Sequence, residues 1–157
     1  MPTPRAKDET LVASLAGHLI DAMSMFPKRL VKTDALIHTF GMPLSHMQIL
    51  ILLEKGDMSI GQLSACTGVA KPNVTPLVDI MCERGYVSRE RNDQDRRMIY
   101  VHLEKEGAAC LQKLRAAVAA QIREWPDGIS RSELRNLDGS LVTLNRVMET
   151  LSKPQDA

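Results

Sequence analysis

A chain of 157 residues suits one ordinary domain with a modest hydrophobic core, and its 44% hydrophobic and 25% charged residues are typical of a soluble globular protein. A formal net charge of +1 excludes a protein whose whole surface is basic, so any contact with nucleic acid must come from a local basic feature. Three scattered cysteines, Cys66, Cys82 and Cys110, exclude a paired disulfide framework and fit a reducing cytosol.

In chain order, the first ten residues carry both charge signs, unlike a secretory signal, and a cytoplasmic location is expected. Residues 1–8 and 152–157 are expected to be disordered around a single domain at 9–151. Leu11, Leu15, Leu19 and Met23 recur every four residues, which predicts a helix over 9–25. Pro27 is expected to end or kink it, because proline lacks a backbone donor. A second helix is expected over 28–40, stopping at Gly41. The longest aliphatic run, Ile49-Leu50-Ile51-Leu52-Leu53, is far short of a membrane span.

Three short helices follow. Ser45-His46-Met47-Gln48 and Ser59-Ile60-Gly61-Gln62 both have the S-x-x-Q form of a capping box, in which two side chains satisfy orphan backbone donors. Pro72 suits the first position of the next helix, where its missing donor costs nothing. Pro76 is expected to be tolerated as another early, unpaired donor position. After Gly85 the period changes to that of strands. Residues 86–91 and 98–103 are expected to pair across the polar turn Asn92-Asp93-Gln94-Asp95-Arg96-Arg97. The C-terminal third returns to helix. Leu111, Leu114, Val118, Ile122 and Trp125 share one face, and Ser130-Arg131-Ser132-Glu133 is a further capping box. In the last helix Leu134, Leu137, Leu141, Leu144, Met148 and Leu151 alternate spacings of three and four, the pattern of a coiled-coil seam. The fold class is therefore mainly α with a small β-wing: a winged helix-turn-helix with a helical dimerisation region.

Two short helices, the second offering its first turn, form the device that enters the DNA major groove. Here that turn carries Lys71, Asn73 and Thr75. Asn can pair bidentately with adenine, and Lys can reach guanine or a phosphate. Ser59, at a helix N-terminus, can offer a hydroxyl and neighbouring N–H groups to a phosphate. The wing adds Arg89, Arg91, Arg96 and Arg97. An arginine at a loop tip suits a narrow minor groove, and Asp95 is spaced to orient Arg97 by a charge-assisted hydrogen bond.

Residues 44–107 resemble the core of the MarR family of regulators. The resemblance is carried by Leu44-Ser45-His46-Met47-Gln48-Ile49-Leu50, Ile60-Gly61-Gln62-Leu63-Ser64, Asn73-Val74-Thr75-Pro76-Leu77-Val78-Asp79 and Glu83-Arg84-Gly85-Tyr86-Val87. To these is added Asp95-Arg96-Arg97 ahead of a strand, Leu103 and Gly107. It implies a winged unit over 44–104, dimerisation helices at 9–40 and 105–151, Arg97 as the minor-groove arginine and Asp95 as its partner. Two positions depart from the pattern. Pro76 stands where many members have a basic residue, and Glu104 replaces a common Thr at the cap of the next helix.

The implied function is sequence-specific binding of double-stranded DNA by a homodimer, as a repressor on a palindromic operator. The family also implies a small apolar or aromatic effector lodged between the dimer helices and the winged unit. Met23, Phe26, His38, Met42 and Met47 lie near that junction. Two other readings remain open: a redox-sensing regulator of the same fold, and a helical protein–protein adaptor that has no need of Asp95-Arg96-Arg97. Buried structural thiols are expected for the cysteines, because reactivity requires thiolate character and exposure. His18, His38, His46 and His102 have no metal-ligand spacing, and neither a phosphate-binding glycine loop nor a serine elbow is present. No enzyme activity, cofactor, metal or membrane contact is expected.

Overall fold

A computed structural model of the chain describes residues 8–91 and 99–152. In order the elements are α1 (Glu9–Arg29), α2 (Thr33–Phe40), α3 (Leu44–Leu53), β1 (Met58–Ser59) and α4 (Ile60–Thr67). They continue with α5 (Lys71–Glu83), β2 (Val87–Arg91), β3 (Ile99–Leu103), α6 (Lys105–Arg123) and α7 (Arg131–Ser152). The expected architecture, mostly helical with a small antiparallel wing, is the one observed.

Helix α1 opens at Asp8, whose carboxylate accepts from Thr10 N at 2.9 Å and Leu11 N at 3.3 Å. It does not stop at Pro27 but runs to Arg29. So near a C-terminus, the proline forfeits one ladder bond without breaking the helix. The break falls at residues 30–32, and α2 begins at Thr33 instead of residue 28. Gly41 closes α2 in the left-handed region (φ 58°), its N–H donating to Ile37 O at 2.9 Å.

Helix α3 starts one residue before Ser45. Pro43 is the N-cap, and its carbonyl accepts from His46 N at 3.1 Å and Met47 N at 3.4 Å. The expected box at Ser45 is therefore not the helix start. The box at Ser59 does form: Gln62 N donates to Ser59 Oγ at 3.2 Å, and Ser59 N donates to Gln62 Oε1 at 2.8 Å. Gly68 (φ 70°) ends α4. Thr67 Oγ1 donates to Leu63 O at 2.7 Å, and Ser64 Oγ donates to Val69 O at 2.7 Å, so the turn into α5 is held from within.

In α5 the N-cap is Ala70, which makes Pro72 the second helical residue. Val74 N already bonds Ala70 O at 3.2 Å. Pro76 thus lies beyond the unpaired donors, and it deprives the Pro72 carbonyl of its ladder partner. Burial of Val74, Val78 and Met81 against α3, α4 and the sheet holds the helix despite that loss.

The sheet has the order β1-β3-β2, with both pairs antiparallel. Val87 faces Leu103 at one end of the hairpin, and Arg91 faces Ile99 at the other. Strand β1 escaped the periodicity analysis because two residues show no alternation. It places Ser59 opposite Tyr100, so the cap of α4 is also a strand residue.

Helix α6 buries Leu111 and Leu114, while Ile122, further along the same stripe, is exposed. Arg115 Nη1 donates to Glu54 Oε1 at 2.7 Å and Nη2 donates to the other carboxylate oxygen, fastening α6 to the end of α3. Lower down, Lys32 N donates to Gln121 Oε1 at 2.7 Å, and Gln121 Nε2 donates back to Lys32 O at 3.4 Å. The capping box of α7 forms as expected: Ser130 N donates to Glu133 Oε2 at 2.8 Å, and Glu133 N donates to Ser130 Oγ at 3.2 Å. Among the described residues no single helix is long and apolar enough to cross a membrane.

Candidate nucleic-acid interface

The core-facing side of α5 fixes what its other side presents. With Val74, Val78 and Met81 buried, Lys71, Asn73 and Thr75 are left exposed on the first turn. They supply one cation, an amide that both donates and accepts, and a hydroxyl. Ser59 is half-buried, and its hydroxyl already accepts from Gln62 N. Asp95, Arg96 and Arg97, the expected wing-tip residues, lie outside the described residues.

Arg89, expected to face DNA, is placed against α5. Its Nη1 stands 2.6 Å from Asp79 Oδ1, and its Nη2 donates to Thr75 O at 3.0 Å. Asp79 was missed by sequence reasoning. No local spacing joins it to Arg89, because only the fold-back of β2 along α5 brings them together. A second missed contact lies on the sheet: His102 Nδ1 stands 2.9 Å from Asp57 Oδ2, while Nε2, 3.4 Å from Glu90 Oε2, makes no hydrogen bond among the described residues. Asp57 precedes β1, so the ring joins β3 to the approach to that strand.

The expected effector residues divide. Met42 and Met47 are each only 2% exposed and belong to the core, and neither is in the lining of the cleft between α2, Tyr86 and α6. An apolar residue beside a junction reads the same in sequence whether it fills the core or lines a pocket. His38 is exposed on α2. Met23 and Phe26 lie outside the residues whose side chains are described. Among the described residues, one opening near this junction is a cleft of about 450 Å³ between the end of α2, Tyr86 and α6. Its lining includes Thr39, Phe40, Tyr86, Cys110 and Lys113, with Glu106 at the same mouth.

Cys66 is exposed on α4, contrary to the expectation that the thiols are buried. Cys82 is half-buried and Cys110 buried, and burial pushes both thiols up from their ordinary value. A raised thiol has little thiolate near neutrality and reacts slowly with oxidants. Among the described residues no three His, Cys, Asp or Glu side chains are grouped to hold a metal ion.

The helix pair, its exposed first turn and the adjoining wing agree with comparisons to known proteins. Residues 40–98 match the model of the MarR family. The chain is 31% identical over 98 residues to the HTH-type transcriptional regulator YsmB of Bacillus subtilis (strain 168), covering 62% of this chain and 67% of that one. It is 23% identical over 141 residues to the transcriptional repressor MprA of Escherichia coli (strain K12), covering 83% and 78%. Among solved structures, a MarR family protein from Bacillus stearothermophilus superposes with a TM-score of 0.65 at 23% identity, over 92% of this chain and 99% of that one.

Proposed function

Since the chain belongs to the MarR family of DNA-binding transcriptional regulators, we propose that it acts as a homodimeric repressor on a palindromic operator in the cytoplasm. The observation that carries this reading is the exposed Lys71, Asn73 and Thr75 turn beside the root of the wing. That turn enters the major groove, with Asn73 and Lys71 addressing base edges and Thr75 a base or phosphate. Arg97, oriented by Asp95, reaches the flanking minor groove.

Two copies supply the affinity that a net charge of +1 does not. Residues 9–40 and 105–151 provide the dimer contact. Support comes from exposed apolar side chains on the two helices: Leu11, Leu15 and Leu19 on α1, and Leu144 and Leu151 on α7. The likeness to a repressor supports the sign of regulation. Duplexes selected by the full-length protein from a random pool test the reading. The expected product is an inverted repeat with half-sites ~10 base pairs apart. Its affinity should fall steeply with salt and drop strongly in Arg97→Ala, and a pool that yields no enriched duplex sinks the proposal.

Release by a small apolar or aromatic acid is the second element of the reading. The cleft between α2, Tyr86 and α6 favours it, since Tyr86 offers a ring and Lys113 a cation for a carboxylate.

A further inference from the structure

The middle of the exposed side of α5 is made of proline. At about 3.6 residues per turn, the buried Val74, Val78 and Met81 define one side of the helix. The opposite side runs through Pro72 and Pro76, both exposed, which stand one above the other at a spacing of four. Lys71 and Thr75 flank this row on one edge and Asn73 on the other, and all three are exposed. The two rings therefore sit between the polar side chains that address the major groove. Further along the same side come the exposed Asp79 and Glu83. Only the first two turns offer an apolar surface free of negative charge.

Pro76 gives the fold nothing in return for its place. It lacks the N–H that would bond the Pro72 carbonyl, and its exposed ring adds nothing to the core. A residue that breaks a local rule, on a surface that the core does not use, points to a role at that surface. Its chemistry is narrow. A pyrrolidine ring carries no charge and no donor, so it neither meets a phosphate nor pairs with a polar base edge. The apolar feature of a base edge in the major groove is the C5-methyl of thymine. Lys71 is the one cation in the sequence of α5, so this helix has no arginine fork for guanine.

We propose that Pro76, with Pro72 beside it, is a specificity-determining surface that reads the C5-methyl group of thymine in the major groove. The inference rests on the DNA-binding reading and adds a base preference to it. Covering a methyl with the two rings removes apolar surface from water and needs no polar partner. Cytosine, with hydrogen in place of the methyl, gives the rings nothing to cover.

Deoxyuridine in place of thymidine removes the methyl and leaves the base pairing and every phosphate unchanged. In the inverted repeat selected by the full-length protein, each thymine of one half-site is replaced in turn. At one position or more, wild-type affinity should fall about fourfold, the worth of one buried carbon group. The salt slope should not change, since no phosphate contact is touched. Pro76→Ser and Pro76→Ala are the paired variants. Both regain the missing N–H, so both should fold cooperatively and melt no lower than wild type. Pro76→Ser should bind the thymine duplex more weakly and no longer distinguish it from the deoxyuridine duplex. Pro76→Ala, which keeps a methyl of its own, should fall between the two.

If both variants lose affinity equally for thymine and deoxyuridine duplexes, the proline serves only the shape of the helix, and the proposal is overturned. Discrimination that persists undiminished in Pro76→Ser places the methyl contact elsewhere and overturns it too. A selected half-site that lacks thymine, or that tolerates every deoxyuridine, overturns the proposal while the DNA-binding reading stands. If no duplex is enriched, both fall.

Discussion

A Cβ built on Gly107 would stand 2.2 Å from the carbonyl oxygen of Tyr86 and 2.7 Å from Leu103 Cδ1. That carbonyl is held in place, because it accepts from Glu104 N at 3.0 Å. Helix α6 can therefore cross the end of α5 and the start of β2 only with no side chain at position 107. The relation fixes where the long helix leaves the winged unit.

Gly107→Ala should for this reason destabilise the protein, although alanine is the better helix former by roughly 0.5–1 kcal/mol at an open position. Overpacking against backbone costs about 1–3 kcal/mol, which decides the sign. Gly61 in α4 meets nothing closer than Ser59 Oγ at 3.8 Å, so Gly61→Ala serves as the control. Thermal melts should place Gly107→Ala several degrees below wild type and Gly61→Ala at or above it. An unshifted Gly107→Ala melt would mean that the close approach is wrong.

His46 gives a pH dependence with a definite sign. It is buried, neither ring nitrogen has a hydrogen-bond partner among the described residues, and its pKa is lowered from the usual 6.5, first by burial and second by the positive charge of Arg84. The unfolded chain thus takes up the proton at a higher pH than the folded one. Stability from this group is complete above about pH 6.5 and is lost as pH falls from there toward the lower folded value. Urea midpoints should decline between pH 7.5 and 5.5, and the decline should be shallower in His46→Met. Equal slopes for the two proteins would remove His46 from the account.

The dimer proposal makes a prediction about mass. Leu19 on α1 is 55% exposed and Leu151 on α7 is 78% exposed, so neither is needed by the core of one chain. Leu19→Asp and Leu151→Asp should leave the fold cooperative but shift the particle from twice the 17.4 kDa chain toward a single one. Light scattering after gel filtration reads this directly. A wild-type particle of single-chain mass would contradict the proposal at once.

For the cleft, benzoate serves as the probe of a small aromatic acid. It should raise the melting temperature of the wild-type protein and weaken operator binding, and both effects should shrink in Lys113→Met, which removes the cation at the mouth. If benzoate and larger aromatic acids leave both readouts unchanged, this cleft is not an effector site.

Local signals were legible where one segment supplies both partners. The boxes at Ser59 and Ser130 close within their own first turns, so four residues suffice to find them. The same pattern misled at Ser45, since Pro43 is the cap of α3 and Ser45 already lies inside the helix. Pro76 misled through a register error: with Ala70 as cap, the position falls inside the hydrogen-bonded ladder. The Arg89–Asp79 pair was illegible for a different reason. It depends on how β2 returns along α5, and that path is set by the burial of Val87 and Val101 and by no charge pattern. Nor does any spacing separate Met42 and Met47, which fill the core, from Phe40 and Tyr86, which line the cleft.

The two fastenings of α6, Arg115 to Glu54 near its middle and Gln121 to the Lys32 backbone near its end, carry one more consequence. A helix anchored at two heights cannot swivel about either anchor. If two copies join through α1 and α7, each α6 becomes the arm of a caliper whose opening is a property of the chain. Such a protein tolerates a changed base within a half-site better than a changed distance between half-sites. One inserted base pair moves the second half-site by about a tenth of a helical turn, and the caliper has no joint there to follow it.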